Sequence, residues 1–227
     1  PLNEEPGYVY SDVAFLLFPE IIRRLTGSDF EAYLKEHFYH PLGAYTLTYN
    51  PTKHFPLARI TPTEIDTFFR HSLVQGYVHD ESAAMFGGIS GNAGLFGSAN
   101  DFAKLYQMYM DRGEYGGHSY IPGETLDEFT RYQYPEAGIR RGLGFDKPLL
   151  QNPEQGYAAP SASPSSFGHT GFTGTYVWAD PVHNLLIVHF ANRVYPYRSQ
   201  AQLFRQRIRT RLHEALYEEI RAVERGE

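Results

Sequence analysis

Three short stretches of this chain bring together side chains that can move protons, bind polar groups or attack a carbonyl. The first is Phe167-Gly168-His169-Thr170-Gly171-Phe172-Thr173-Gly174-Thr175, where an imidazole and hydroxyls stand between glycines. Gly171 lacks a Cβ and lets a ligand or another backbone lie close against the chain. The second is Tyr10-Ser11-Asp12, with a phenol and a carboxylate two residues apart. The third, Gly88-Ile89-Ser90-Gly91-Asn92, misses the Gly-x-Ser-x-Gly elbow by its last residue, and no clear strand signal precedes it. Ser90 therefore reads as a loop serine. His79-Asp80-Glu81 and the pair His37/His40 have metal-ligand types without His-Glu-x-x-His spacing, so no metal and no cofactor are expected. His79 or Asp80 is expected to line a cleft. The chain has no cysteine, which excludes a thiol nucleophile and a Cys-ligated metal.

The elements that must position these residues follow from hydrophobic period and punctuation. An apolar helical segment spans about 13–25, with Pro19 expected to kink or break it and Thr26-Gly27 to stop it. Ser28-Asp29-Phe30-Glu31 reads as a capping box for a helix to about 38, ended by Pro41-Leu42-Gly43. Residues 44–63 read as irregular, and 87–97 as a Gly-rich run without the Gly-Lys-Ser/Thr of a phosphate loop. Ser98-Ala99-Asn100-Asp101 is a second capping box, for a helix to about 111. Gly116-Gly117 suggests a turn, and Pro122 a short helix with Leu126 and Phe129 facing in. Residues 151–166 read as a surface loop. Two β-rich runs, 175–179 and 185–191, joined by Asp180-Pro181-Val182-His183-Asn184, form a hairpin signature. A terminal helix over about 199–223 carries Leu203, Phe204, Ile208, Leu212, Leu216, Ile220 and Val223 as an apolar stripe. Helices, then antiparallel strands with a helix laid on them, define an α+β chain. One unit is expected over 1–227, helical over about 8–135, with sheet and terminal helix over about 140–225.

At 227 residues, 42% hydrophobic and 20% charged, the chain can bury one sizeable core. A net charge of −6 leaves no basic footprint for nucleic acid. Arg205, Arg207, Arg209 and Arg211, offset by Glu214, Glu218 and Glu219, read as a solvated helix face. No apolar run approaches the ~20 residues of a membrane span. Pro1 is read as an internal point of a longer polypeptide, so targeting signals are uninformative.

The order of the motifs is more specific than any one of them. Tyr-x-Asp precedes an apolar helix; then come Pro-Leu-Gly, Ala-Gly-Leu-Phe-x-Ser-x-x-Asp-x-Ala-Lys, and Gly-His-Thr-Gly-x-Thr-Gly before a hairpin. This arrangement resembles the serine β-lactamase and penicillin-binding-protein family, in particular its class C-like serine hydrolases. The resemblance implies a β-lactamase/transpeptidase-like fold, present as a C-terminal portion, because no serine here has the lysine three residues later that Ser-x-x-Lys requires. It implies hydrolysis of ester or amide bonds through an acyl-serine intermediate, on a cell-wall peptide or small ester, in the periplasm or outside the cell. It casts Tyr10 as a base, and Asp12, Thr170 and Gly171 as substrate-binding residues. His169, also cast as catalytic, stands where β-lactam enzymes usually have Lys, a departure that points toward an esterase or peptidase; when protonated it would help the missing lysine as the cation beside Tyr10, and the Phe172 N–H becomes half of an oxyanion hole. The nucleophile and the first strands would lie upstream as a partner segment, leaving this chain alone silent. Asp12 stands where the family usually has Asn; ionised Asp only accepts hydrogen bonds, so it is equally placed to hold the missing lysine. The rival reading is a non-catalytic peptidoglycan- or partner-binding module that keeps the fold.

Overall fold

The computed structural model describes residues 8–226. A 3-10 turn over Phe15–Leu17 runs directly into α1 (Phe18–Thr26). Pro19 falls in the first turn of α1, where its missing N–H costs nothing and its fixed φ suits the helix. The expected kink is instead a start. Gly27 ends α1 in a left-handed conformation, its N–H on the Arg23 carbonyl at 2.9 Å. Next, α2 (Phe30–Leu34) continues into a π-type turn over Lys35–Tyr39. The Ser28–Glu31 capping box does not form. Asp29 is the N-cap without a side-chain bond, and Glu31 turns inward to accept from the Thr48 hydroxyl (2.7 Å) and the Tyr49 N–H (2.9 Å). Thr48 is buried, so its hydroxyl needs this partner more than a solvated helix end does.

β1 (Pro62–Asp66) and β2 (Ser72–Gln75) pair as a hairpin, followed by α3 (Glu81–Met85), whose N-cap Asp80 accepts from the Ala83 N–H. Then α4 (Ala99–Met110) starts at Ser98 as expected, with Ser98 Oγ accepting from the Asp101 N–H. Asp101 completes no box; it binds Thr46 and Lys104. Gly116-Gly117 joins β3 (Glu114–Tyr115) to β4 (His118–Ser119), and α5 (Gly123–Thr130) buries Leu126 but leaves Phe129 exposed.

β5 (Phe167–Thr170), β6 (Tyr176–Asp180) and β7 (Leu185–His189) form an antiparallel sheet in that order. Every residue of β6 is buried, because both sheet faces are covered. Val177 and Ala179 pack on Tyr106 and Met110 of α4. Tyr176 and Trp178 pack on Ala158, Ala159, Ala162 and Tyr217. The expected surface loop therefore holds for 151–155, which are exposed, but much of 156–166 is tucked under the sheet. Their small side chains fit under the aromatic rings, and Ser163 and Ser166 bond Asp180 and the Trp178 indole.

The terminal helix is broken into α6 (Gln202–Arg205) and α7 (Ile208–Arg225) by Arg207, whose φ is +51°. α7 also presents a different face from the expected stripe. Arg209, His213 and Tyr217 are buried, whereas Leu212 and Val223 are 46% and 74% exposed. The sheet decides this by its polar groups. Tyr217 donates to Asp180 Oδ2 (2.7 Å), the Tyr176 hydroxyl and the Ala159 N–H both bond His213 Nδ1, and Arg209 donates to the Thr175 carbonyl (3.0 Å). Arg209 is thus no solvated surface charge. Among the described residues no helix is long and apolar enough to cross a membrane.

Candidate active site

Gly168 fixes one wall of the site. A Cβ there would overlap the Val177 carbonyl and the Trp178 ring, so only glycine lets β5 lie this close to β6. On its other edge, β5 exchanges two main-chain bonds with Asp146, Asp146 N–H to Gly168 O (2.8 Å) and Gly168 N–H to Asp146 O (3.0 Å). That bridge brings the turn at 141–146 alongside His169. Asp146 is buried and paired with Arg140, and Arg141 lies 3.8 Å from its carboxylate.

Arg141 is the residue that sequence reasoning missed, and it connects the two motifs. Its Nη1 lies 3.3 Å from His169 Nε2, and its guanidinium carbon 5.2 Å from the Tyr10 ring centroid. A guanidinium only donates, so Nε2 of His169 must accept. Nδ1, 2.9 Å from the Thr170 carbonyl, then carries the proton. This is a neutral imidazole of fixed tautomer. Burial lowers the His169 pKa first, and the charges of Arg141 and Arg140 lower it further, against the Thr170 carbonyl and Asp12. A protonated His169 is therefore not the cation beside Tyr10; Arg141 is. Tyr10 itself is pushed upward, by burial and then by the Asp12 charge, with Arg141 opposing. Its phenol is protonated at neutral pH.

Beyond Thr170 the chain makes a tight turn, with Gly171 N–H on Thr175 O (2.9 Å) and Gly174 N–H on Gly171 O (3.1 Å). A Cβ on Gly171 would collide with the Thr175 hydroxyl. Arg193 braces the turn, its N–H on Thr173 O (2.7 Å) and its Nε on Phe172 O (2.9 Å). The Phe172 ring stacks on His79 (centroids 5.6 Å, 19°), and His79 Nε2 is 2.6 Å from Glu64 Oε2. His79 thus lies at the site, whereas Asp80 is spent capping α3. Among the described residues neither the Phe172 N–H nor the Thr170 hydroxyl has a hydrogen-bond partner. Both line a cleft of about 460 Å³ that reaches Tyr157 and Phe204. Ser90, by contrast, is buried and donates to Asn92 Oδ1 (2.6 Å), an environment with no general base bonded to it.

A β-lactamase family model matches residues 1–211. The chain belongs to the β-lactamase family. Its relatives include a protein of Escherichia coli (strain K12) named "Putative D-alanyl-D-alanine carboxypeptidase", 34% identical over 207 residues. That match covers 85% of this chain and 47% of the relative, so the chain spans about half the relative's length. A β-lactamase from Mycobacterium bovis superposes with a TM-score of 0.61 at 19% identity, covering 93% of this chain and 64% of that one. A penicillin-binding protein homologue from Caulobacter crescentus gives 0.59 at 22% identity, with coverages of 89% and 56%. Simvastatin synthase from Aspergillus terreus gives 0.60 at 18%, with coverages of 89% and 52%. At these identities the structures establish the fold, β-lactamase/transpeptidase-like and α+β.

Proposed function

We propose that this β-lactamase-family chain forms one wall of an acyl-transfer site that hydrolyses ester or amide bonds through an acyl-serine intermediate. The observation that carries this reading is the end of β5, where the Phe172 N–H and Thr170 hydroxyl stand beside the cleft without protein partners among the described residues. An N–H left free beside a cleft is what a developing oxyanion requires, and a preorganised donor there contributes more than one in water. The serine would come from a Ser-x-x-Lys element outside these residues, its own N–H completing the oxyanion hole. Serine oxygen would bond the substrate carbonyl carbon, its proton passing through Tyr10 to the leaving group as that bond breaks. Water would then release the acyl group by the reverse proton path.

Tyr10 can accept a proton near neutrality only if more positive charge arrives, because burial, and then the Asp12 charge, hold its pKa up. A lysine seated against Asp12 would cancel that charge and leave Arg141 as a second cation. This favours Asp12 as a lysine-holding residue over direct contact with substrate. Thr170 and Gly171 remain the substrate contacts, and His169 keeps Arg141 in place. The relatives' name supports a cell-wall peptide ending in D-alanine, which would place the protein in the periplasm or outside the cell.

The test is mass spectrometry of the full-length protein after a fluorophosphonate or a labelled penicillin. One covalent adduct on a Ser-x-x-Lys serine is expected, and Tyr10→Phe should slow its formation about 10²–10⁴-fold. An adduct on Ser90 of the 227-residue chain would overturn the assignment. No adduct with any acyl donor would leave a peptidoglycan- or partner-binding module.

A further inference from the structure

Asp66, the last residue of β1, is buried, and the loop that follows is tied to it. The N–H groups of Phe68 (2.8 Å), Phe69 (2.9 Å) and Arg70 (3.0 Å) all donate to its carboxylate, and Arg70 Nη1 adds a fourth bond at 3.2 Å. His71 closes the loop with φ +52°, so the turn is made without a glycine. Such a loop has little conformational freedom left to lose. It nevertheless presents its two phenylalanines to solvent: Phe68 is 74% exposed, and Phe69 is exposed beside it. The Arg198 guanidinium carbon lies 5.8 Å from the Phe68 ring centroid and that of Arg70 5.2 Å from the Phe69 centroid, which orients both rings without covering them.

The apolar surface runs on from the tip. Ile65 and Leu73 are direct partners across the β1–β2 ladder and both are exposed, whereas the next pair, Glu64 and Val74, is buried. The hairpin therefore has an inner face against the protein and an outer apolar face left to solvent. Tyr195 and Tyr197, also exposed, flank Pro196, whose carbonyl accepts from the Ile65 N–H (2.8 Å), so two phenol-bearing residues lie along the edge of β1. Leu57, half exposed, packs beside Gly76 at the foot of β2.

Charge is sorted on the same segment. The whole chain carries −6, but residues 51–75 hold Lys53, Arg59 and Arg70 against Glu64 and Asp66, and both of these acids are buried and paired. Lys53 and Arg59 are exposed, and neither has a carboxylate within ion-pair distance among the described residues. The exposed charges of this segment are thus cationic in an acidic protein. Phenylalanines on a rigid tip, phenols at their side and unpaired cations nearby match a bilayer interface, where rings sink to the headgroup level and cations meet anionic lipid. A second copy fits worse, because a two-fold pairing of this face would bring like charges together. We propose that the outer face of the β1–β2 hairpin docks on an anionic lipid bilayer, with Phe68 and Phe69 entering the boundary between headgroups and acyl chains. None of these residues lines the 460 Å³ cleft, and docking does not depend on acyl transfer.

The experiment uses the full-length protein with mixed phosphatidylethanolamine–phosphatidylglycerol vesicles, and phosphatidylcholine vesicles as the neutral control. Phe68→Trp places an emitter at the tip, read as the difference from wild type. Its emission should shift to shorter wavelength on the anionic vesicles and be quenched when their acyl chains are brominated, with little change on the neutral ones. In co-sedimentation, Phe68→Ser should weaken binding about tenfold or more, the loss expected for one buried phenyl ring. Lys53→Gln and Arg59→Gln should each weaken it roughly fivefold and flatten its dependence on salt. All three positions are exposed, so Tm should not move. An anchor elsewhere in the full chain would mask these losses but not the quenching. No quenching at position 68 would overturn the proposal, as would equal quenching on neutral and anionic vesicles. Emission already at short wavelength and shielded from iodide without lipid would also overturn it, and would assign the face to another segment of the chain. A concentration-dependent dimer lost in Phe68→Ser would overturn it in favour of a second copy.

Discussion

Arg141 acts on His169 and Tyr10 in opposite chemical senses with one charge. It disfavours the imidazolium and favours the phenolate, so both residues are pushed toward their proton-accepting forms. Burial works with it at His169 and against it at Tyr10. In an NMR titration, His169 should therefore titrate below the usual ~6.5. In Arg141→Gln its midpoint should move up, because burial remains while the repulsive charge goes. A midpoint that stays put or falls would show that Arg141 does not face His169 in solution. The His-Thr-Gly element was legible because its residues are contiguous and their neighbours are glycines. Arg141 was not, being 28 residues from His169 and joined to it only through the Asp146–Gly168 bridge. The same holds for His79, which reaches Phe172 because the β1–β2 hairpin docks on the chain after β7. No local pattern announces either contact.

Hydrophobic period located the elements of this fold better than it oriented them. The β6–β7 hairpin is legible because continuous β-rich runs and the Asp-Pro turn signal act locally, and α4 begins at its serine cap. The buried face of α7 was misread because a buried hydrogen bond outweighed apolar area. Asp180, itself buried, must be satisfied, and Tyr217, Ser163 and the Val182 N–H all point at it. The same logic buries Ser163 and Ser166, with Ala158, Ala159 and Ala162 beside them. Urea denaturation of this chain should separate the two faces. Tyr217→Phe removes a charge-assisted bond from a buried carboxylate and should cost about 1.5–3 kcal/mol. Leu212→Gln and Val223→Gln change solvated positions and should stay within about 0.5 kcal/mol. A larger loss at Leu212 than at Tyr217 would restore the apolar stripe as the packed face. Gly168→Ala makes a third contrast. Its Cβ has no room against β6, so a loss of about 1–3 kcal/mol or more is expected despite the small change in volume.

For the whole molecule, two buried bases make the stability curve climb in two separate pH windows. His213 is fully buried, with Nδ1 accepting from the Tyr176 hydroxyl and the Ala159 N–H. Only a neutral imidazole can do this, and burial pushes its pKa down to about 4 from an ordinary 6.5. Between those values the unfolded chain binds the extra proton. Stability therefore falls as pH drops from about 6.5 to 4, by roughly 3 kcal/mol at full extent. Below that, the depressed carboxylates of Asp101 and Asp180 protonate and continue the loss. Lys147 produces the alkaline window. It is buried, donates to the Ser165 carbonyl and lies 5.0 Å from the Tyr132 ring centroid; burial lowers its pKa to about 8 from 10.5. The unfolded chain again holds more protons across that range, so stability should rise from pH 8 to about 10.5. Between the windows the curve should be flat with respect to these two groups. At pH 7 the charged Lys147 costs the fold up to about 3 kcal/mol. Lys147→Met keeps the length of the side chain and removes that charge. In urea melts at fixed temperature, the variant should be more stable than wild type at pH 7 and should lose the climb above pH 8. It should keep the climb between pH 4 and 6.5, because His213 and its partners are unchanged. A variant less stable at pH 7, with the wild type flat from pH 8 to 10, would mean that the ammonium group is solvated rather than enclosed.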